Sequence, residues 1–185
     1  MNITQIRNAT QVITYAGKRF LIDPMLSKKG AWPGFSGSAR SHIRNPMVEL
    51  PVDIDTLLDV DAIIVTHTHS DHWDDTAATL IPKSMLIYVQ NDGDEAILRE
   101  QGFTQLRQLS ADSHFEDIAL IKTDGQHGSD EAYALPQLAE RLGEACGVIF
   151  HHPTEKTLYL MGDSIWIDGV AKNMRYYQPG VVIMN

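Results

Sequence analysis

Three imidazoles and a carboxylate fall within six consecutive residues, His67-Thr68-His69-Ser70-Asp71-His72. Imidazole nitrogen and carboxylate oxygen are the usual ligands of zinc and related divalent metals. The run follows Ala62-Ile63-Ile64-Val65, an apolar stretch that reads as a buried strand. Side chains two apart in an extended chain point the same way, so His67 and His69 can grip one ion together. Asp71 and His72 come where the chain turns toward a helix and can face a second ion. The other reading is a polar turn rich in histidine. Eight histidines in 185 residues make three within six positions improbable by chance.

Two further ligand-type residues lie just beyond apolar segments. Ile118-Ala119-Leu120-Ile121 leads through Gly125-Gln126 to His127-Gly128, and Leu158-Tyr159-Leu160-Met161 leads through Gly162 to Asp163. Ligands of α/β proteins gather at one end of the sheet, and glycines there let the backbone take tight conformations. Each signal is weak alone, because a Gly-flanked His or a Gly-Asp pair is common in turns. Beside the first motif both become candidate ligands. His114, His151 and His152 read as loop and hairpin-end residues, whereas His42 sits where it can reach a substrate.

The pattern His-x-His-x-Asp-His, complete at His67, His69, Asp71 and His72, resembles the signature of the metallo-β-lactamase superfamily. The resemblance continues at His127 and Asp163 and covers nearly the whole chain. Within the superfamily the sequence is most similar to the branch of small metal-dependent hydrolases that includes ascorbate-6-phosphate lactonase. The resemblance implies an α/β fold, an αββα sandwich of two mixed β-sheets with helices on the outer faces. It implies that His67, His69 and His127 hold a first metal, that Asp71 and His72 hold a second, and that Asp163 bridges them. A hydroxide between the ions would be the nucleophile, with Asp71 as the catalytic residue that orients it and moves its proton. Zinc is the metal expected, up to two ions, with manganese or iron as alternatives. The implied function is hydrolysis of a small, anionic ester, lactone or phosphate-containing metabolite. The competing readings are a non-catalytic metal-binding or regulatory member of the fold, and a metallo-phosphodiesterase. The family usually adds another histidine to the second metal after a further strand. This chain stops at Asn185, so the expectation is a single domain over residues 1–185 that lacks the C-terminal segment and has an incomplete second site.

Composition limits the alternatives. A chain of this length fits one domain with a sizeable core, and 43% hydrophobic with 21% charged residues is ordinary for a soluble globular protein. Fifteen basic against 24 acidic side chains give a net charge of −9. That sign opposes a nucleic-acid partner, which needs clustered Lys and Arg. Cys146 is the only cysteine, so no intrachain disulfide forms. Its apolar flanks mark it as a buried small hydrophobe rather than a nucleophile. The N-terminus lacks the apolar core of a signal peptide, and no apolar run reaches membrane-spanning length. A cytoplasmic protein with a small-molecule substrate, no membrane partner and scope for homo-oligomerisation is the expectation. Without a secretory signal, a true β-lactamase fits less well.

The elements that must carry these residues can be read along the chain. The first 23 residues read as a β-meander with a turn at Ala16-Gly17-Lys18. Leu21-Ile22-Asp23-Pro24 resembles the superfamily's opening strands, and Asp23 is assigned a structural task in that turn rather than a metal. Residues 24–52, punctuated by Gly30, Pro33, Gly34, Gly37, Pro46 and Pro51, form a long irregular segment. Loops of this length are often functional, and Trp32 and Phe35 can cover a substrate, with Arg40, His42 and Arg44 as donors. The alternative is a surface loop packed by its own aromatics. Helices are expected over Trp73–Ile81, Glu95–Gln101 and Val170–Tyr177. Asp74 and Asp75 favour the positive end of the first of these. Strands are expected at Met85–Val89, Ile118–Ile121, Val148–Phe150, Leu158–Met161 and Val181–Met184.

Overall fold

The computed structural model describes residues 1–34, 36, 37 and 39–185. Its first half lays down six strands of one mixed sheet, with three helices between them. In chain order these are β1 (Asn2–Arg7), β2 (Thr10–Tyr15), β3 (Lys18–Ile22), α1 (Ile54–Leu58), β4 (Ala62–Ile64), α2 (Asp75–Leu80), β5 (Leu86–Val89), α3 (Asp92–Glu100) and β6 (Gln105–Gln108). The second half gives β7 (His114–Phe115), β8 (Ile118–Gly125), α4 (Asp130–Tyr133), α5 (Pro136–Leu142), β9 (Ala145–His151), β10 (Leu158–Leu160), α6 (Asp168–Tyr177) and β11 (Val181–Ile183). The first sheet runs β1-β2-β3-β4-β5-β6 and the second β11-β10-β9-β8-β7. β1 to β3 pair antiparallel and β3 to β6 parallel. The second sheet is antiparallel except for the β10–β11 pair.

Alternation along the strands explains the layers. Phe20 and Ile22 of β3 point inward and pack with Ile13, Tyr15, Ile64 and Tyr88 against Leu120, Val148, Phe150 and Leu160 of the second sheet. Leu21, between them, points the other way and packs with Ile63, Val65, Ile87 and Val89 against Trp73, Ala77 and Leu98. The outer face of the second sheet places Ile149, Tyr159 and Met161 against Val170 and Met174 of α6. Burying a side chain of this size contributes about 1.5–3 kcal/mol, and β3, β4 and β5 bury such side chains on both faces. The result is the expected sandwich of two mixed sheets between helices. The turn between β2 and β3 is Ala16-Gly17, with φ of 47° and 79°. Two positive φ values make the two-residue hairpin that matches strand twist.

Several boundaries shift from the sequence expectation. α2 starts at Asp75, not Trp73, because Asp74 is the N-cap and accepts from the Ala77 amide at 2.7 Å. α3 begins at Asp92 because Asn91 caps it through the Asp94 amide. β8 runs on to Gly125, paired with β9 as far as Ala145. The helices α4 and α5 had no counterpart in the sequence reading. Cys146 is fully buried, and burial pushes its thiol up.

The long segment 24–52 is tied down at its base. The buried Arg7 guanidinium donates to the carbonyls of Met25, Ser27 and Val48. Ser27 donates its amide to Asp74, and Trp32 donates its indole N–H to Ser27 Oγ. Trp32 is therefore partly an anchor of the loop. His42 and Arg44 are exposed, and Arg44 donates to the carbonyls of Gly30 and Ala31. Phe35 lies outside the described residues.

Candidate metal centre

β4 ends at Ile64, and the next residues carry the first ligand to the sheet end. Thr66 is pinned there by Asp23, whose Oδ1 accepts the Thr66 amide at 2.7 Å and whose Oδ2 accepts its hydroxyl at 2.8 Å. Asp23 donates its own amide to Ile64 and adopts φ 44°, a left-handed conformation that Asp tolerates better than most residues. His67 follows with 1% exposure. The chain then turns, with the amides of His72 and Trp73 both donating to the His69 carbonyl.

The turn and two loops of the second sheet bring the candidate ligands together. His67, His69 and His127 each offer a ring nitrogen within 4.8 Å of the others, and within the same distance of one another lie ring nitrogens of His67 and His72 and a carboxylate oxygen of Asp163. His67 Nε2 and His127 Nε2 are 3.2 Å apart. Two nitrogens at opposite ends of a tetrahedral edge around zinc stand about 3.3 Å apart, given Zn–N of about 2.0–2.1 Å. His72 Nε2 lies 3.2 Å from Asp163 Oδ1, and His127 Nε2 lies 4.0 Å from Asp163 Oδ2. The loops of His127 and Asp163 are stitched to each other. The Ile165 amide donates to the Gln126 carbonyl at 2.8 Å, and the Gln126 amide donates to Ser164 Oγ at 3.2 Å. Gly162, at φ 63°, passes so close to the Cys146 carbonyl oxygen that a Cβ there would collide with it.

Electrostatics divide the cluster. Burial, with the neighbouring His72, His127 and His69, drives the His67 imidazole down to about 2. Burial also lowers His127, assisted by His69. For His72 burial acts downward too, but the Asp23 carboxylate at 2.9 Å and Asp163 outweigh it and push the group up to about 10. Asp163 is held well below the usual carboxylate range. Burial raises it, but the hydrogen bond and charge of His72 prevail.

Residues 18–185 match the family model of the beta-lactamase superfamily domain. The chain belongs to that family. It is 46% identical over 186 residues to the UPF0173 protein YddR of Bacillus subtilis (strain 168), a match covering 100% of this chain and 71% of that protein. The crystal structure of an isothiocyanate hydrolase from Delia radicum gut bacteria superposes with a TM-score of 0.96 at 54% identity, covering 100% of this chain and 71% of that one. The structure of a "possible metal-dependent hydrolase" from Veillonella parvula DSM 2008 gives 0.96 at 48% identity, covering 99% and 70%.

For this beta-lactamase superfamily member the geometry also shows what the sequence reading missed. Asp23, read only as a turn residue, orients Thr66 and His72 from complete burial. Its signal was the Ile-Asp-Pro strand end, but only the parallel β3–β4 pairing reveals its reach across 49 residues to His72. Asp71 belongs to neither three-residue cluster. It lines two cavities that reach the centre, of about 370 and 500 Å³. Tyr133 is a second unforeseen residue: its hydroxyl accepts the His127 amide at 3.3 Å and donates to the Gly143 carbonyl at 2.7 Å. The histidines given bland readings stay apart. His114 is exposed in β7, and His152 pairs with Asp117 at 3.0 Å on the surface.

Proposed function

We propose that the chain hydrolyses a small electrophile at a divalent metal centre held by His67, His69 and His127, with His72, Asp163 and Asp71 serving a second ion. The observation that carries this reading is the cluster of three imidazoles, buried His67 with half-buried His69 and His127, at the sheet end of a family member. Burial keeps His67 and His127 unprotonated, so their nitrogens present lone pairs. Imidazole donors suit zinc first, with iron or manganese accommodated where carboxylate joins the set. Bound there, a divalent cation supplies Lewis acidity and an activated water.

The protein's own groups do the rest. Asp23 fixes the His72 ring through Nδ1, so that Nε2 faces Asp163. Such carboxylate–histidine pairs set tautomer and ring orientation. We assign Asp71 to accept a proton from the attacking water and to return it to the departing group, because it borders two cavities that reach the centre.

Isothiocyanates are the substrate class we favour, from the 54% identity to an isothiocyanate hydrolase. Water adds to the electrophilic carbon of R–N=C=S to give a thiocarbamic acid, which loses carbonyl sulfide and leaves the amine R–NH2. The lactone, ester or phosphate implied by the lactonase resemblance is the second reading. Arg141, which borders the larger cavity, is the feature that favours an anionic substrate. The test is zinc reconstitution of stripped protein, followed by assay with allyl isothiocyanate, a γ-lactone and bis-p-nitrophenyl phosphate. Zinc-dependent release of allylamine, abolished by His69→Ala, is expected. Metal-dependent turnover of the lactone or diester alone would move the assignment to that class, and no metal-dependent turnover would overturn it.

A further inference from the structure

A short helical pair, α4 and α5, is inserted between β8 and β9, and none of its residues is buried. A helix in a globular domain ordinarily buries an apolar stripe against the core. α5 instead turns Leu138, Arg141 and Leu142, spaced three and four apart on one face, onto the cavity of about 500 Å³ that also contains His69, His127 and Asp163. Both leucines are only half-buried. The pair is fixed to the centre rather than to the core. Tyr133 ties the His127 amide to the Gly143 carbonyl, and a Cβ on Gly143 would lie 3.6 Å from His69 Nε2. Leu142 packs on Gly128, where an added Cβ would sit 3.0 Å from Leu142 Cδ1. Arg141 donates to the Ser36 carbonyl at 3.1 Å, across the cavity mouth.

We propose that α5 is the substrate-recognition helix, with Leu138 and Leu142 receiving an apolar organic group such as benzyl on the molecule being hydrolysed. This rests on the hydrolase reading above. Arg141 spends one N–H on the Ser36 carbonyl, and the leucines on either side of it leave that wall apolar, so the favoured ligand carries a hydrocarbon substituent. Apolar pockets discriminate by contact area, at about 10-fold or more for each methylene-sized contact removed.

The experiment compares kcat/KM for benzyl and methyl isothiocyanate in the zinc-loaded parent and in Leu138→Ala. The benzyl-to-methyl ratio should fall about 10-fold or more. Thermal unfolding checks that the variant is folded, and Leu142→Ala replaces it if it is not. A second readout needs no turnover: the Leu138 and Leu142 methyl resonances of the metal-free protein are followed as benzyl alcohol is added. If the parent hydrolyses neither isothiocyanate but both methyls shift, the isothiocyanate reading falls and the recognition helix stands. An unchanged ratio in an active protein, or unshifted methyls in an inactive one, overturns the proposal.

Discussion

Of the two ligand clusters that share His67, the one with His69 and His127 contains no carboxylate, whereas the one with His72 lies between two. The first is a set of three rings, one buried and two half-buried, whose centroids stand 4.7 Å apart, with His67 and His127 driven toward the neutral form. The second is an ion-pair chain, Asp23–His72–Asp163, in which the imidazole is charged at neutral pH. Neutral nitrogen is a ligand and protonated nitrogen is not. The same residue type, a few positions apart, is thus poised for metal on one face and occupied by its own proton on the other. The difference comes from the side chain that stands behind each ring. Asp23 reaches His72 Nδ1, but His127 Nδ1 has no hydrogen-bond partner among the described residues.

The harshest way to break this comparison is to remove the shared ring and one first-cluster ring. His67→Ala/His69→Ala should lose most of its metal, measured by elemental analysis of the purified protein. Its hydrolysis should fall beyond the ~10²–10³-fold that loss of one charge-stabilising group costs. The fold should survive, because both rings sit at the sheet end outside the three apolar clusters. Unchanged metal content would remove both residues from the centre.

Asp163→Asn should act next most strongly, lowering kcat on the order of 10²-fold with a small change in Tm. The amide keeps the hydrogen-bonding shape but not the charge that faces His72 and His127. Asp163 is partly exposed, which limits its share of stability. Equal rates in parent and variant would take it out of the mechanism.

Asp23→Asn sharpens the same comparison from behind. Removing one partner of a buried charged pair costs about 3–5 kcal/mol, and loss of a carboxylate behind a metal-binding histidine weakens metal about 10–100-fold. Here the stability loss should exceed that of Asp163→Asn, because Asp23 is fully buried and also holds Thr66 by two hydrogen bonds. Chemical denaturation of the metal-free proteins gives the order, and the reverse order would show that Asp23 is not the structural anchor.

How much of this was legible in the sequence depended on whether a role is local. The His67–His72 run was legible as one cluster because its candidate ligands share one turn, and β4 was legible as an apolar run. His127 and Asp163 were reachable because each follows a strand with a glycine beside it. Asp23 behind His72 was not, because that contact needs the β3–β4 pairing and spans 49 positions. α4 and α5 escaped for the opposite reason. None of their residues is fully buried, so they carry no core periodicity, and their leucines look like scattered apolar residues until the cavity is seen.

The smallest effect expected is a proton count, and it tests the comparison most directly. In the metal-free protein His72 carries a proton up to about pH 10, whereas His67 is stripped down to about pH 2. Because the unfolded pKa of a histidine is about 6.5, the His72 network contributes stability that is complete below that value and is lost as pH rises toward 10. His67 acts in the other direction: its neutral, buried form costs stability as pH falls below about 6.5, where the unfolded chain takes up the proton. Metal entering beside His67, His69 and His127 at pH 8 therefore displaces little from His67 and His127. Metal entering beside His72 must expel its proton, about one per ion. Titrating zinc into stripped protein by calorimetry, in buffers of different ionisation enthalpy, separates the two. A first equivalent whose heat is independent of buffer, followed by a weaker one that releases about one proton, is the expected result. Asp23→Asn should reduce that release, since His72 loses the partner that holds its proton. Equal proton release for both equivalents would mean that the two faces of His67 are not differently prepared.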